Sequence, residues 1–373
     1  MHIVDRGVLS PAEPGGNRRA TVYPTVTPLR DGTLLATYVV GASKDDDGQT
    51  IELRRSTDGG RTWSAPQRPF LSEVEGRRGS LGSGYVTQLE GDRLVALGVW
   101  VDREAYPGRP LFNGETEGTL PLRNLLADSL DLGRSWSMWR ALPLPHDLGP
   151  PAATDAILRL ADGTLALSAE IGKHYHDRSK WFQRVVYFYS HDQGRSWGPP
   201  HTACQDPTGR IFNWDQRAAV APDGRVMTFT WTYDHDAARY LNIHRRLSRD
   251  GGRTWSEPED LGFSDQPSHP AVLPDGRVVL AWVDRFGSRS IRARLAEGVD
   301  APFLESTEVV LYQLGASGGR GNGFDGTGEL LSNPHLWTFG LPYAVALPDG
   351  DVLVTYYAGD PGALSAHWVR LAP

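Results

Sequence analysis

The stretch RSTDGGRTW, residues 55–63, brings together side chains that could do chemistry. Ser56 and Asp58 stand two residues apart, with Arg55 beside them and Trp63 close by. A hydroxyl and a carboxylate next to an arginine could form a catalytic cluster with an activated nucleophile. Whether this stretch is a catalytic cluster or a turn depends on how often it occurs in the chain.

The pattern Ser-x-Asp-x-Gly-x-[Thr/Ser]-Trp, here called the Asp box, occurs four times. Its Asp residues are separated by 73, 61 and 58 positions. A catalytic cluster is not needed four times, whereas a hairpin turn is. Asp accepts hydrogen bonds from the backbone of a turn, Gly adopts positive φ, and Trp packs against a sheet. The four boxes are therefore predicted to be turns: Ser56–Trp63, Ser129–Trp136, Ser190–Trp197 and Ser248–Trp255.

A second repeat sets the architecture. In six segments a strand ends in a tight Asp-Gly or Gly-Asp turn and a strand rich in Leu, Val and Thr follows. Six hairpins at regular intervals, without an amphipathic helix between them, predict an all-β fold: a six-bladed β-propeller of four-stranded antiparallel blades, with residues 1–373 as a single domain. The last blade is completed either by HIVDRGVL near the N-terminus or by LSAHWVRL near the C-terminus. The segments are 29–38, 89–98, 160–169, 221–230, 273–282 and 347–356.

Composition excludes several classes of partner. The net charge of −7 argues against duplex nucleic acid or an anionic membrane as the main partner. Nowhere do 18 apolar residues run together, and the first residues lack the apolar core of a signal peptide, so a cytoplasmic location is expected. Cys204 is the single cysteine, which rules out an intramolecular disulfide. No His, Cys or Asp spacing resembles a zinc site, and no metal or cofactor is expected.

The propeller fold sorts the loops by face. Asp-Gly turns and Asp boxes are expected on one face, and the loops of the opposite face are the functional candidates. Several of these loops are rich in polar and aromatic groups, including 102–113, 170–182, 212–217, 232–239, 268–270 and 318–343.

Asp boxes that alternate with Pro-Asp-Gly hairpins resemble the sialidase (neuraminidase) superfamily with its BNR repeats. The resemblance covers essentially the whole chain. It is specific for the fold and less specific for function, because relatives include hydrolases of several sugars, trans-glycosidases, lyases and non-enzymatic binders.

The resemblance implies three catalytic positions. Asp46 or Asp47, shortly before the first Asp box, is similar to the acid/base Asp of sialidases. Asp215, eight residues before the Asp of the 221–225 turn, matches the Glu that activates the nucleophile. The nucleophilic Tyr corresponds to Leu341, so Tyr343, two residues further on and at a deeper position, is the candidate catalytic tyrosine.

The arginine triad that holds the substrate carboxylate in sialidases is incomplete. Val22 occupies the first arginine position, Arg217 could replace the second, and Arg320 could be the third. A charged hydrogen bond contributes about 1.5–3 kcal/mol, so the loss of one or two arginines argues against hydrolysis of ordinary sialic acid.

These residues predict an exo-acting glycoside hydrolase of sialidase type that binds a terminal sugar of an oligosaccharide. Glycosidic cleavage needs an acid on one side of the anomeric carbon and a carboxylate, or an assisted Tyr, on the other; Glu170 is a further candidate. Asp46 and Asp47 could instead lie in a solvated loop, Asp215 could be a structural partner of Arg217, and the aromatic residues could be packing between blades. Candidate substrate contacts are Arg217, Arg320, His269, Trp214, His174, Trp231, Tyr233 and Trp337.

Two other functions stay open at this point. One is a lyase on uronic-acid or rhamnose-containing oligosaccharides that uses His and Tyr. The other is a propeller that binds glycan or protein without turnover. A lyase would release an unsaturated product that absorbs in the near ultraviolet, whereas a binder would tolerate loss of Asp215.

Overall fold

The structure of the protein is a computed structural model that describes residues 1–315 and 337–373. In these ranges the regular structure is β, apart from one 3₁₀ turn at His146–Leu148. No helix in the described ranges is long and apolar enough to cross a membrane. The strands are β1 His2–Ser10, β2 Ala20–Pro28, β3 Leu34–Gly41, β4 Thr50–Ser56, β5 Glu73–Val74, β6 Arg77–Gln88, β7 Leu94–Asp102, β8 Leu122–Ser129, β9 Arg140–Ala141, β10 Pro151–Ala152, β11 Leu158–Arg159, β12 Leu165–Ile171, β13 Arg184–Ser190, β14 His201–Gln205, β15 Ile211–Val220, β16 Val226–Asp234, β17 Arg239–Tyr240, β18 His244–Ser248, β19 Glu259–Asp260, β20 Gln266–Pro267, β21 Ala271–Val272, β22 Val278–Asp284, β23 Ser290–Ala296, β24 Phe303–Gln313, β25 Phe339–Ala346, β26 Val352–Asp360 and β27 Ala363–Ala372.

All six predicted hairpins are present. Each turn is closed by a backbone hydrogen bond across four residues, as between Leu29 N and Thr33 O at 2.8 Å. The glycine of these turns has positive φ, for example 84° at Gly32, a conformation that costs other residues energy. The turns connect β2 to β3, β6 to β7, β11 to β12, β15 to β16, β21 to β22 and β25 to β26.

The four Asp boxes are turns, as predicted. In the first box the Ser56 hydroxyl donates to Asp58 Oδ1 at 2.7 Å and accepts from Gly60 N at 2.9 Å, and Thr62 Oγ1 donates to Asp58 Oδ2 at 2.6 Å. The other three boxes repeat these bonds. Both oxygens of each Asp carboxylate accept hydrogen bonds within their own turn, so these residues act as structural acceptors and not as catalytic groups.

The six repeats are distributed over five hydrogen-bonded sheets. Four sheets hold one repeat each, in the orders β5-β6-β7-β8-β9, β10-β12-β13-β14, β15-β16-β18-β19 and β20-β22-β23-β24. The fifth has seven strands and the order β25-β26-β27-β2-β3-β4. It joins the last repeat to the first through one parallel pair, Ala20 with Leu364. The N-terminal strand β1 pairs antiparallel with β27, so HIVDRGVL and LSAHWVRL are both strands of the last repeat.

Turns and Asp boxes lie on the same side of the fold, as expected. Arg370 of β27 pairs with Asp349 and with Asp351, at 2.5 Å from the latter, in the last Asp-Gly turn. The same guanidinium donates to Gly59 O of the first Asp box at 3.2 Å. The opposite side is therefore left for the long loops.

Candidate functional site

A cavity with a volume of about 240 Å³ lies where inner strands from several sheets meet. Its wall is formed by residues of β2, β6, β7, β8, β10, β12, β15 and β25, and by loop residues within 111–119, 150–154 and 172–181. These loops belong to the face that the sequence assigned to function. The cavity is therefore the candidate site.

Backbone bulges turn three side chains toward this cavity. Tyr23, Asp215 and Leu341 have φ of 56°, 47° and 44°, and each lies in a register shift of β2, β15 or β25. All three line the cavity. A bulge re-aims a side chain, and strained backbone persists where the surrounding structure enforces it.

Glu170 and Asp215 are the two carboxylic acids in the cavity wall. Glu170 Oε1 accepts a hydrogen bond from Gln216 N at 3.2 Å. Burial and the negative charge of Asp215 raise the pKa of Glu170 well above its usual value, against the opposing effects of Gln216 N and Arg217. Two carboxyl groups in one desolvated site do not both ionise readily, and the raised pKa of Glu170 favours its protonated form.

Arg217 brings a buried positive charge to the same wall, with 4% of the residue exposed. Its Nη1 donates to Thr154 O and, at 3.4 Å, to the hydroxyl of Tyr85, which itself donates to Thr154 O at 2.9 Å. Its Nε has no hydrogen-bond partner among the described residues. Burial lowers the pKa of Arg217, but Tyr85, Asp155 and Asp215 outweigh that effect and raise it. The guanidinium is a fixed charge at the cavity wall.

Tyr343 lies deeper, stacked on His269 with ring centroids 4.5 Å apart. His269 Nδ1 contacts Asp155 Oδ1 and Oδ2 at 2.9 Å, and Asp155 Oδ2 also accepts from Ala218 N at 2.8 Å. Burial, with the charges of Asp155 and Tyr85, raises the pKa of Tyr343 well above 10, and Arg217 opposes this only in part. The phenol keeps its proton, which makes it a weak nucleophile.

Asp46 and Asp47 do not line the cavity. Asp46 Oδ2 accepts from Ala42 N at 2.9 Å inside its own loop. Asp47 lies 3.4 Å from Arg103, a buried residue that also pairs with Asp45. The acid/base role expected for Asp46 or Asp47 finds no support in this geometry, because both carboxylates stabilise loops and Glu170 occupies the cavity instead.

The aromatic candidates pack together rather than lining the cavity. The rings of Trp214 and Tyr233 stack with their centroids 5.4 Å apart, and the ring centroids of Trp231 and Trp337 are 5.2 Å apart. Trp214, Trp231 and Tyr233 belong to one buried cluster, and the half-buried Trp337 packs against it. Trp181 of this cluster reaches the cavity wall. The predicted stacking role of the four is therefore not matched by their position.

Two further candidates lie away from the cavity or outside the structure. His174 is exposed and does not line the cavity; its backbone pairs with Thr119. Arg320 lies outside the described residues. Over residues 1–315 and 337–373, no group of three or more His, Cys, Asp or Glu side chains could hold a metal ion.

Several wall residues are not predicted from the sequence, although one of them, Tyr23, has a recognisable spacing. Tyr23 stands eight residues before Asp31, the same count that selects Asp215 before Asp223 and Leu341 before Asp349. Counting eight residues back from Asp31 in the first repeat therefore identifies Tyr23. Tyr85 and Trp181 have no such signal, because neither a motif nor a spacing distinguishes them.

Comparison with known proteins agrees with this architecture. The sequence pattern of the BNR repeat-like domain family matches residues 32–296. No curated protein matches the chain. Among solved structures, a protein of unknown function from Dyadobacter fermentans is similar over 99% of both chains, with 20% identity and a TM-score of 0.69.

Two sialidase structures are similar as well. The intramolecular trans-sialidase of Ruminococcus gnavus, solved with oseltamivir carboxylate, has 14% identity and a TM-score of 0.66 over 100% of this chain and 98% of its own. The NanB sialidase of Streptococcus pneumoniae has 12% identity and a TM-score of 0.67 over 98% of this chain and 70% of its own. The chain therefore belongs to the BNR repeat-like domain family, and its fold is that of the sialidases.

Proposed function

We propose that the six repeats are the blades of a six-bladed β-propeller. The packing between repeats supports this, because it follows a closed cycle. Contacts run from β2 to β6, from β8 to β10, from β12 to β15, from β16 to β20, from β22 to β25, and from β25 back to β2. In this arrangement the cavity lies on the central axis.

We propose that the protein is a glycoside hydrolase that removes a terminal sugar. The observation that carries this proposal is the pair Glu170 and Asp215 in one cavity, with the pKa of Glu170 raised. Two carboxyl groups with different environments are the arrangement that glycosidic hydrolysis uses. The likeness to a trans-sialidase and a sialidase agrees with it at the level of the family.

The proposed roles follow from the environment of each group. Glu170 donates its proton to the leaving glycosidic oxygen, and the Asp215 carboxylate acts on the anomeric carbon directly or through a water. Arg217 supplies positive charge to an oxygen of the bound sugar. Tyr343 is assigned no nucleophilic role, because its phenol is buried and its pKa is raised.

The size and lining of the cavity favour a single sugar unit. Its volume of about 240 Å³ is below the range of roughly 300–1,000 Å³ typical of sites for larger ligands. Arg217 is the one described arginine in its wall. A substrate whose carboxylate needs three arginines therefore fits poorly, which supports a sugar other than ordinary sialic acid.

The test is a turnover screen on aryl glycosides of sialic acid, arabinofuranose, rhamnose and uronic acids. We expect release of the aryl group from one of them. Glu170→Gln should lower kcat by about 10²–10⁴-fold, as expected when a general acid is removed, and Asp215→Asn should do the same. Asp46→Asn is the matched control, because Asp46 lies outside the cavity, and it should keep most of the activity.

Absence of turnover with folded protein across the panel would refute the hydrolase. Full activity in Glu170→Gln together with loss in Asp46→Asn would refute the assignment of the site while leaving the activity in place.

A lyase is the second candidate, and one observation favours it. The His269 ring is held by the buried Asp155 and stacks on Tyr343, so a base and a phenol lie side by side. An increase in near-ultraviolet absorbance on a uronic-acid oligosaccharide, abolished in His269→Ala, would select this function over hydrolysis.

A further inference from the structure

Gln266, the first residue of β20, contacts the cavity carboxylate Asp215 from behind the wall. It is 2% exposed and does not line the cavity. Its Nε2 donates to Asp215 Oδ2, and its Oε1 accepts from Arg285 Nη2. One amide therefore connects a buried guanidinium to the proposed catalytic carboxylate.

The direction of this amide is fixed by its two partners. A guanidinium can only donate, so the amide oxygen must face Arg285 and the amide nitrogen must face Asp215. The reversed amide would set donor against donor on one side and acceptor against acceptor on the other. Asp215 Oδ2 is thereby engaged, while Oδ1 accepts no hydrogen bond within the described part of the chain.

Arg285 is itself held in place. Its Nη1 donates to Phe339 O at 2.8 Å, and its backbone N donates to Asp265 Oδ2 at 2.8 Å. Its guanidinium carbon lies 4.1 Å from the ring centroid of Trp337. Phe339 begins β25, Trp337 lies just before it, and Asp265 lies just before β20. The guanidinium is therefore held in one position, from which it orients the side chain of Gln266.

The position of Asp215 makes such support necessary. Its φ of 47° is in the left-handed region. The residue lies in a bulge between Trp214 and Arg217, where the regular pairing of β15 with β16 is interrupted. A side chain on a strained backbone needs partners that hold its rotamer. Gln266 is the side chain that bonds its carboxylate.

We propose that Gln266 and Arg285 are a positioning pair that orients the Asp215 carboxylate for its reaction with the substrate without touching the substrate themselves. This rests on the proposed function of Asp215. Neither residue carries a sequence motif. Besides Asp215, Gln266 has one long contact with the cavity wall, since its Oε1 accepts from Leu341 N at 3.5 Å.

The test is Gln266→Glu. This change keeps the volume of the side chain and gives Arg285 a carboxylate partner, but it removes the donor to Asp215 and places a negative charge beside it. We expect kcat on the aryl glycoside that the wild type cleaves to fall about 100-fold, as for a reacting group displaced by about 1 Å, with KM changed less than about threefold. Gln266→Met, which has no donor and only a weak sulfur acceptor, should lower kcat in the same way.

The matched control is Gln183→Glu. Gln183 is also buried and also bridges two repeats, with Nε2 donating to Asn213 O at 2.9 Å and Oε1 accepting from Asn213 N at 2.8 Å. It contacts no carboxylate through these bonds, so its variant should lose stability and keep kcat. An equal fall of kcat in both variants, or an unchanged kcat in Gln266→Glu, would overturn the proposal.

A double-mutant cycle separates this proposal from the hydrolase itself. In Asp215→Asn, the introduced amide can donate to the carboxylate introduced at position 266. The unfolding equilibrium of the double variant should therefore be at least about tenfold more favourable to the folded state than additivity predicts. Additive effects would refute the contact even in an active enzyme. Coupling in a protein without turnover would refute the hydrolase, and with it the catalytic role, while the contact stands.

Discussion

At Glu170 the surroundings rather than the residue type decide the chemistry. The chain has many exposed carboxylates, and those of the Asp boxes are held ionised by their own turns. Burial raises the pKa of Asp58, but the hydrogen bonds from Thr62, Ser56 and Arg61 N together outweigh it and lower the pKa to about 2. Glu170 has one backbone donor and a neighbouring carboxylate, and burial is the largest influence on it. The same functional group is therefore a hydrogen-bond acceptor of a turn in one place and, at Glu170, the group to which we assign the role of proton donor in our proposal.

This difference predicts the pH dependence of stability. The pKa of Glu170 is raised in the folded state, so its contribution to stability is fully present below the ordinary value of 4.5 and is lost as the pH rises through the raised value. Glu170→Gln removes this loss. We expect the stability of the variant relative to wild type to increase as the pH rises from 5 to 8, measured as urea midpoints.

The exposed Glu297→Gln is the control for that measurement, since its surroundings are aqueous. A difference between Glu170→Gln and wild type that stays constant over this pH range would contradict the raised pKa. It would also remove the argument for Glu170 as the acid.

At the scale of elements, the Asp box stabilises a turn by saturating its backbone donors. The Ser56 hydroxyl is buried and connects Gly60 N to Asp58, so the box is a closed set of hydrogen bonds. A buried donor that loses its partner costs more than the bond contributed. The serine, rather than the exposed end of the box, is therefore the sensitive position.

We expect Ser56→Ala to lower the free energy of unfolding by about 1–3 kcal/mol, the cost of leaving the buried Gly60 N unpaired. Ser64→Ala is the control within the same hairpin. Its hydroxyl accepts from Arg55 N at 3.0 Å, but it is exposed and water can replace it. Chemical denaturation of both variants measures the difference. An equal decrease in the free energy of unfolding in both variants would show that the buried Ser56 hydroxyl does not stabilise the turn more than an exposed serine does.

At the scale of the whole molecule, stability depends on how the two ends of the chain meet. Strand β1 pairs along β27, and the parallel pair Ala20 with Leu364 continues the sheet into the first repeat. Gly7 of β1 lies directly against the ring of Trp368, so close that an added Cβ would be 2.8 Å from it. The contact of Gly7 with Trp368 therefore ties the N-terminal strand into the last repeat, and the pair Ala20 with Leu364 joins that repeat to the first.

Removing residues 1–10 should therefore destabilise the whole molecule. Strand β27 becomes an exposed edge, which favours aggregation, and Trp368 loses its cover. We expect the Tm to fall by more than about 4 °C, the equivalent of roughly 2 kcal/mol or more in a chain of this size. The control is Val4→Thr with Val8→Thr, two exposed positions of β1 where the backbone pairing is kept. Equal Tm values for the truncated and the full chain would contradict a structural role of β1.

Local spacing along the chain was enough to predict the repeat, its turns and the face on which those turns lie. Asp boxes and Asp-Gly turns are local: their residues bond within four positions of each other, so spacing alone predicts Ser56–Trp63 and the 29–33 turn. It also selected Asp215 and Arg217, because their distance from the next turn is a matter of counting along one strand. That all six hairpins were found follows from this locality.

Only the tertiary structure decided which side chains share the cavity. Glu170 and Asp215 meet because β12 packs on β15, and a bulge at Asp215 sets the direction of its side chain. Tertiary contacts also hold Asp46 and Asp47 in their loop, away from the cavity, and bury Trp214 among other aromatic rings. Burial, charge and hydrogen-bond partners come from residues far apart in the chain, as in the contact of Gln266 with Asp215, and no local spacing encodes them.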